Sequence, residues 1–163
     1  MNRAAWVGFG IVGVSLLFGR HRATEVDEVE ALARVITSEA NGYSAEECTA
    51  IAWTVRNRAR KRGVSIAKLV CSPNCGPCCN GRPFSSAREP TDVNRELARR
   101  IIAAPDGDDP TGGATSFFEP RVQDQLVAQH RAGYRFTSAQ LRTRWQRGGQ
   151  RQIGSIGAFE FWT

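Results

Sequence analysis

The short break between two helical patterns constrains this chain more than any other feature. Val26, Val29, Ala33 and Ile36 mark one face of a helix that begins at a Thr24 cap, with Asp27 three residues on, and runs to about Ala40. Asn41-Gly42 ends it, and Ser44-Ala45-Glu46-Glu47 forms a capping box that starts a second helix. Cys48, Ile51, Ala52 and Val55 then recur at i, i+3, i+4 and i+7 as its inward face. So short a connection makes the two helices neighbours in space. Glu39, at the end of the first, therefore faces the start of the second.

The remaining patterns predict a mainly helical α+β domain. Ser65 to Val70 reads as a helical turn, and Asp92 as the cap of a helix that turns Val93, Leu97 and Ile101 inward before ending near Ala104-Pro105. A turn-rich loop follows from Asp106 to Gly113, in which Gly112 and Gly113 would let a ligand approach the backbone. Val122 to His130 and a second capping box, Thr137-Ser138-Ala139-Gln140, give two more helices, the latter carrying Leu141 and Trp145. Ala114 to Phe118 and the alternating segment from Ile153 to Trp162 would pair as a small antiparallel sheet.

With 163 residues, 41% hydrophobic and 23% charged, the chain can bury one domain core and is not a disordered sequence. Residues 1–22 stand apart from the domain at 23–163. Residues 4–18 carry no charge and are flanked by Arg3 and by Arg20-His21-Arg22. A spanning helix needs about 17–25 apolar residues, so this stretch better matches the apolar region of an export signal. No small-x-small site follows Phe18, which reads as an export or membrane-insertion segment that stays attached. Cys71, Cys75, Cys78 and Cys79 suggest a disulfide-stapled loop, with zinc as the competing reading. Cys48 lies on the apolar side of its helix as a core residue, and pairing with the loop stays open.

Lys plus Arg outnumber Asp plus Glu by 22 to 16, which suits an anionic partner: nucleic acid, a membrane face or an acidic wall polymer. The basic run from Arg56 to Arg62 reads as a solvated helix end that complements the helix dipole, and no base-reading motif accompanies it. Nucleophilic and metal chemistry have little to draw on. The chain has two histidines, and Cys48 with His130 is the one cysteine-peptidase pairing available. Carboxylate chemistry remains. A carboxyl desolvated against apolar helical turns keeps its proton to higher pH, as a general acid requires. Tyr43, Phe84, Phe117, Phe118, Tyr134 and Trp162 could stack on sugar rings or serve as core.

Four blocks then carry a resemblance. Leu32-Ala33-Arg34-Val35-Ile36 with Glu39-Ala40-Asn41-Gly42, Ala50 to Arg58, Phe84-Ser85, and Asp109-Pro110-Thr111-Gly112-Gly113-Ala114-Thr115 with Phe117-Phe118 together resemble the spore-cortex-lytic type of bacterial cell-wall hydrolase, over about residues 28–162. The resemblance implies a lysozyme-related, mostly helical fold acting on peptidoglycan, with Glu39 as the catalytic acid, and often lytic transglycosylation. On this footing Phe84, Ser85, Gly112, Gly113, Thr115, Phe117 and Tyr43 are expected to bind substrate, with Trp53 and Asn57 as core or support. No metal or cofactor is needed. Hydrolysis would require a second carboxylate at about 5–9.5 Å, with Asp92, Asp108 and Asp109 as candidates. Pro83, Ser116, Phe118 and Phe159 depart from the family pattern at substrate-facing blocks. The expected setting is export to the cell envelope or periplasm, held to the membrane through residues 4–18, or carriage in a phage particle. The competing account is a structural or membrane-penetrating assembly component on an inactive hydrolase fold.

Overall fold

The computed structural model describes residues 28–70 and 88–163, and its centre is the pair of helices expected on either side of Asn41-Gly42. The first, α1, is helical over 28–39, and α2 spans Ala45–Arg62. The Ser44 hydroxyl accepts from the Glu47 N–H at 3.2 Å, and the Glu47 carboxylate accepts from the Ser44 N–H at 2.8 Å, which completes the capping box. Gly63 stops the helix in the left-handed region. Burial on α2 extends beyond the expected face. Ile51, Ala52 and Val55 are buried, but so are Ala50, Trp53 and Thr54, while Cys48 is half-buried. The reason is that α2 is packed from several directions: by α3 (Ile66–Leu69), α4 (Asp92–Ala103) and the sheet.

Two details of α4 differ from the sequence reading. Thr91 is the cap, its hydroxyl accepting from the Asn94 N–H at 3.2 Å, so Asp92 is the first helical residue. Val93 is 78% exposed, and the inner face is Leu97, Ala98 and Ile101. Residues four apart advance about 40° round a helix per step, so the row through Leu97 and Ile101 has turned away from the core by Val93.

The sheet has three antiparallel strands, β1 (Ser116–Phe118), β2 (Gln152–Ile156) and β3 (Phe159–Trp162), in the order β1-β3-β2. The segment expected as one alternating stretch is thus a hairpin folded at Gly157-Ala158. Its alternation fails on β3 because Phe159, Phe161 and Trp162 are all buried, as suits a central strand covered on both faces. Between β1 and β2 the chain forms a helical hairpin of α5 (Pro120–Ala128) and α6 (Ser138–Arg147). Asp124 on α5 accepts from the Ser138 N–H at 2.6 Å and hydroxyl at 2.8 Å, and Gln123 donates to the Phe136 carbonyl at 2.6 Å. Arg142 of α6 grips Glu160 of β3 through two nitrogens. The architecture is α+β, mainly helical with a small antiparallel sheet, as the sequence patterns require.

Among the described residues no helix is long and apolar enough to cross a membrane. The segment at 4–18, the Thr24 cap and the cluster from Cys71 to Cys79 lie outside them. Among the described residues Cys48 has no disulfide partner, and its Sγ lies 3.7 Å from the Ala40 carbonyl oxygen.

Two carboxylates tie the helical and sheet parts together. Glu47, 7% exposed, also accepts from the Ala158 N–H at 2.7 Å, so the residue that caps α2 holds the β2–β3 turn. Gly157 has φ 56°, and a Cβ there would overlap the Glu47 carboxylate, so glycine is required twice over. Asp109 organises the loop before β1. Its oxygens accept from the Thr111 N–H at 2.8 Å, the Thr111 hydroxyl at 2.7 Å, the Gly113 N–H at 2.8 Å and the Asn57 amide at 2.8 Å. Asn57 also donates to the Ala114 carbonyl at 3.1 Å, which fixes the loop to α2.

Both anchors predict losses of stability. The bonds from Ala158 and Ser44 hold the Glu47 carboxyl below the ordinary range. Its contribution is therefore complete above the unfolded value of about 4.3 and is lost as pH falls through the lower folded value. Glu47→Ala should cost about 2–3 kcal/mol in urea unfolding at pH 7 and flatten the acid limb of stability against pH. At Asp109, burial pushes the carboxyl up, but the bonds from Thr111, Asn57 and Gly113 outweigh it and hold it low. Asp109→Ala should cost about 2–4 kcal/mol by the same measurement, because it strands several donors at once.

Candidate active site

The site begins where α1 ends. The Ala40 N–H still bonds the Ile36 carbonyl at 2.9 Å, and the Tyr43 N–H returns to the Ala40 carbonyl at 3.2 Å, turning the chain sharply after Glu39. Glu39 and Tyr43 thereby face a cleft of about 340 Å³. Arg58 enters it from α2, Ser116 to Glu119 from β1 and the start of α5, and Tyr134 and Trp145 from the α5–α6 hairpin. Phe159 of β3 completes the wall. The cleft therefore lies at the junction of the helical pair, the sheet and the hairpin.

Aromatic contacts shape these walls. Tyr43 meets Phe159 edge to face at 4.6 Å, and Phe117 meets Phe159 at 5.7 Å. Phe118 stands edge-on to Trp145 at 5.3 Å, and Trp145 to the buried Trp162 at 5.6 Å. Such a chain of T-shaped pairs holds the rings in fixed orientations. Two carboxylates, Glu39 and Glu119, share the space with the Arg58 guanidinium. Glu119 caps α5, accepting from the Arg121 N–H at 3.2 Å and the Val122 N–H at 2.8 Å. Burial, with Arg62 adding to it, pushes the Arg58 pKa down. Burial also raises that of the Tyr43 phenol, reinforced by the charges of Glu119 and Glu47. The phenol thus stays a hydrogen-bond donor at neutral pH.

The expected site residues divide clearly. Tyr43 and Phe117 line the cleft with Glu39. Gly112, Gly113 and Thr115 do not: the glycines have φ of 60° and 88° in the loop round Asp109, and Thr115 is buried with its N–H on the Trp162 carbonyl at 2.8 Å. They belong to the Asp109 loop and its junction with β1. Phe84 and Ser85 lie outside the described residues. Trp53 is core, and Asn57 is the support just described. Of the candidate second carboxylates, Asp92 and Asp108 are exposed, Asp109 is committed to its loop, and none lines the cleft.

Arg58, Glu119 and Trp145 are cleft residues that the sequence reading did not select. A signal existed for Glu119, because an acidic residue directly before a proline marks a helix start. Arg58 closes the second block of the resemblance, but it sits inside a run of cations that mostly serve elsewhere: Arg56 donates to the Ala104 carbonyl at 2.8 Å, and Arg60 pairs with Asp106. Ser116, Phe118 and Phe159, three of the positions that depart from the resembled family, all face the cleft. The Ser116 hydroxyl accepts from the Gln150 amide at 3.2 Å.

Chemically, the arrangement offers carboxyl groups for proton transfer, ring faces and edges for sugar rings, and a phenol donor, all within one cavity. Neither family models, nor curated proteins, nor solved structures give a match to the chain.

Proposed function

We propose that the protein cleaves the glycan strands of peptidoglycan, with Glu39 as the acid. The observation that carries this reading is the position of Glu39 in a cleft walled by Tyr43, Phe117, Phe118, Trp145 and Phe159. Sugar rings present axial C–H groups that pack on aromatic surfaces, and the hydroxyl groups between them need donors such as the Tyr43 phenol. The four-block resemblance points to the same substrate.

In the lone-acid route, the Glu39 carboxyl gives its proton to the glycosidic oxygen as the bond to the anomeric carbon breaks. The 6-hydroxyl of the same sugar then attacks that carbon and returns its proton to Glu39. A 1,6-anhydro ring forms, and no water is consumed. A second reading is favoured by one specific observation, the presence of Glu119 in the same cleft. There Glu119 would activate a water or stabilise the oxocarbenium-like centre, and the product would be a reducing end.

Glu39→Gln should reduce clearing of a peptidoglycan gel by at least about a hundredfold, the usual contribution of a general acid. Undiminished clearing by that variant would remove the assignment, and no clearing by the parent protein would favour an inactive structural component. Mass spectrometry of the products separates the two routes, since anhydro ends are lighter than reducing ends by one water. If the lone-acid route holds, Glu119→Gln should leave the anhydro product in place.

A further inference from the structure

Ser116 is only 7% exposed, yet it lines the cleft with Phe117, Phe118 and Trp145. Its hydroxyl accepts from the Gln150 amide at 3.2 Å. Gln150 is itself held in place, because its backbone N–H bonds the Trp145 carbonyl at 2.9 Å just beyond the end of α6. A hydroxyl that accepts from one side turns its own proton elsewhere. Among the described residues that proton has no acceptor.

The neighbouring side chains cannot take it. Trp162 stands directly opposite Ser116 across β1 and β3, so the two side chains share a face of the sheet. An indole offers a donor and no acceptor, and the buried Trp162 Nε1–H is itself without a partner among the described residues. Phe118, two residues along β1, lies on the same face and is apolar. Two donors thus stand side by side among rings, and a buried donor left unpaired is costly. Trp162 is fully enclosed behind the wall, so Ser116 is the donor that a ligand meets.

Elsewhere in the cleft the carboxylates of Glu39 and Glu119 are acceptors, suited to the hydroxyl groups of a sugar. Ser116 calls for the opposite, an oxygen that accepts and brings no proton of its own. The carbonyl oxygen of an amide is such an atom, and the apolar groups beside it can pack on the surrounding rings. We infer that Ser116 is a specificity-determining residue, its proton turned into the cleft by Gln150 to bind an amide carbonyl of the substrate. Gln150 is then a positioning residue. This rests on the reading of the cleft as a peptidoglycan site, where the carbonyl belongs either to an acetamido group on a sugar or to a peptide.

The test measures binding by the full chain carrying Glu39→Gln, so that the wall is not digested. Co-sedimentation compares intact wall, de-N-acetylated wall, and wall stripped of peptide by an amidase. On intact wall, adding Ser116→Ala should weaken binding about fivefold, in keeping with one neutral hydrogen bond. Gln150→Glu should weaken it equally, because a carboxylate only accepts and draws the Ser116 proton away from the cleft. Combining the two should add nothing, since both remove the same bond. Loss of the Ser116→Ala deficit on de-N-acetylated wall would place the carbonyl on the sugar, and loss on stripped wall would place it on the peptide. Equal binding by the two chains on that wall also shows that the variant is folded. The inference is overturned if Ser116→Ala binds intact wall as tightly as its parent, if its deficit is the same on all three walls, or if Gln150→Glu has no effect. The underlying functional reading fails separately, if protein with Glu39 intact releases no fragments from a wall that it binds.

Discussion

The fold depends on one carboxylate reaching two backbone amides that belong to different layers. Glu47 bonds the Ser44 N–H at the start of α2 and the Ala158 N–H at the β2–β3 turn. The first bond fixes where the helix begins, and the second fixes where the sheet sits against it. Because Phe159 directly follows that turn and contacts Tyr43 and Phe117, the same carboxylate anchors the turn that leads into the cleft wall. Gly157 is a condition of this arrangement, since only a residue without a side chain lets the turn come so close.

The cleft then follows from connections more than from any single element. Glu39 is presented by the turn that ends α1, Glu119 by the cap of α5, and the rings by β1, β3 and the α5–α6 hairpin. Apart from the α1 turn, these suppliers are joined by polar links: Asp124 to Ser138, Arg142 to Glu160, and Gln150 to Ser116. Such links are individually modest, yet together they set the relative positions of groups that arrive from distant parts of the chain.

Local chemistry was legible in the sequence wherever a pattern is short and self-contained. Both capping boxes, the break at Asn41-Gly42 and the existence of a small sheet could be read in advance. Long-range facts were not. The row Val93, Leu97 and Ile101 reads as one inner face, yet its drift round the helix carries Val93 out to solvent, and only the packing shows at which step the row leaves the core. The block from Asp109 to Thr115 gave no sign that Asp109 gathers its own loop and anchors it to Asn57. Arg58 shows the limit most plainly: a side chain in a run of similar cations is distinguished only by what folds over it.

The strand order carries a consequence for how the molecule comes into being. β3 is the last strand in the chain but the middle one in the sheet, so β1 has no neighbour to pair with until the hairpin beyond α6 has been made. Pairings between segments so far apart close large loops and form slowly. A nascent chain that has completed α1 and α2 already carries Glu39 and Tyr43, yet it has no Phe159 to set beside them. The cleft is consequently a late product of synthesis, and a prematurely terminated chain would hold Glu39 and Tyr43 without the rings that wall their cleft.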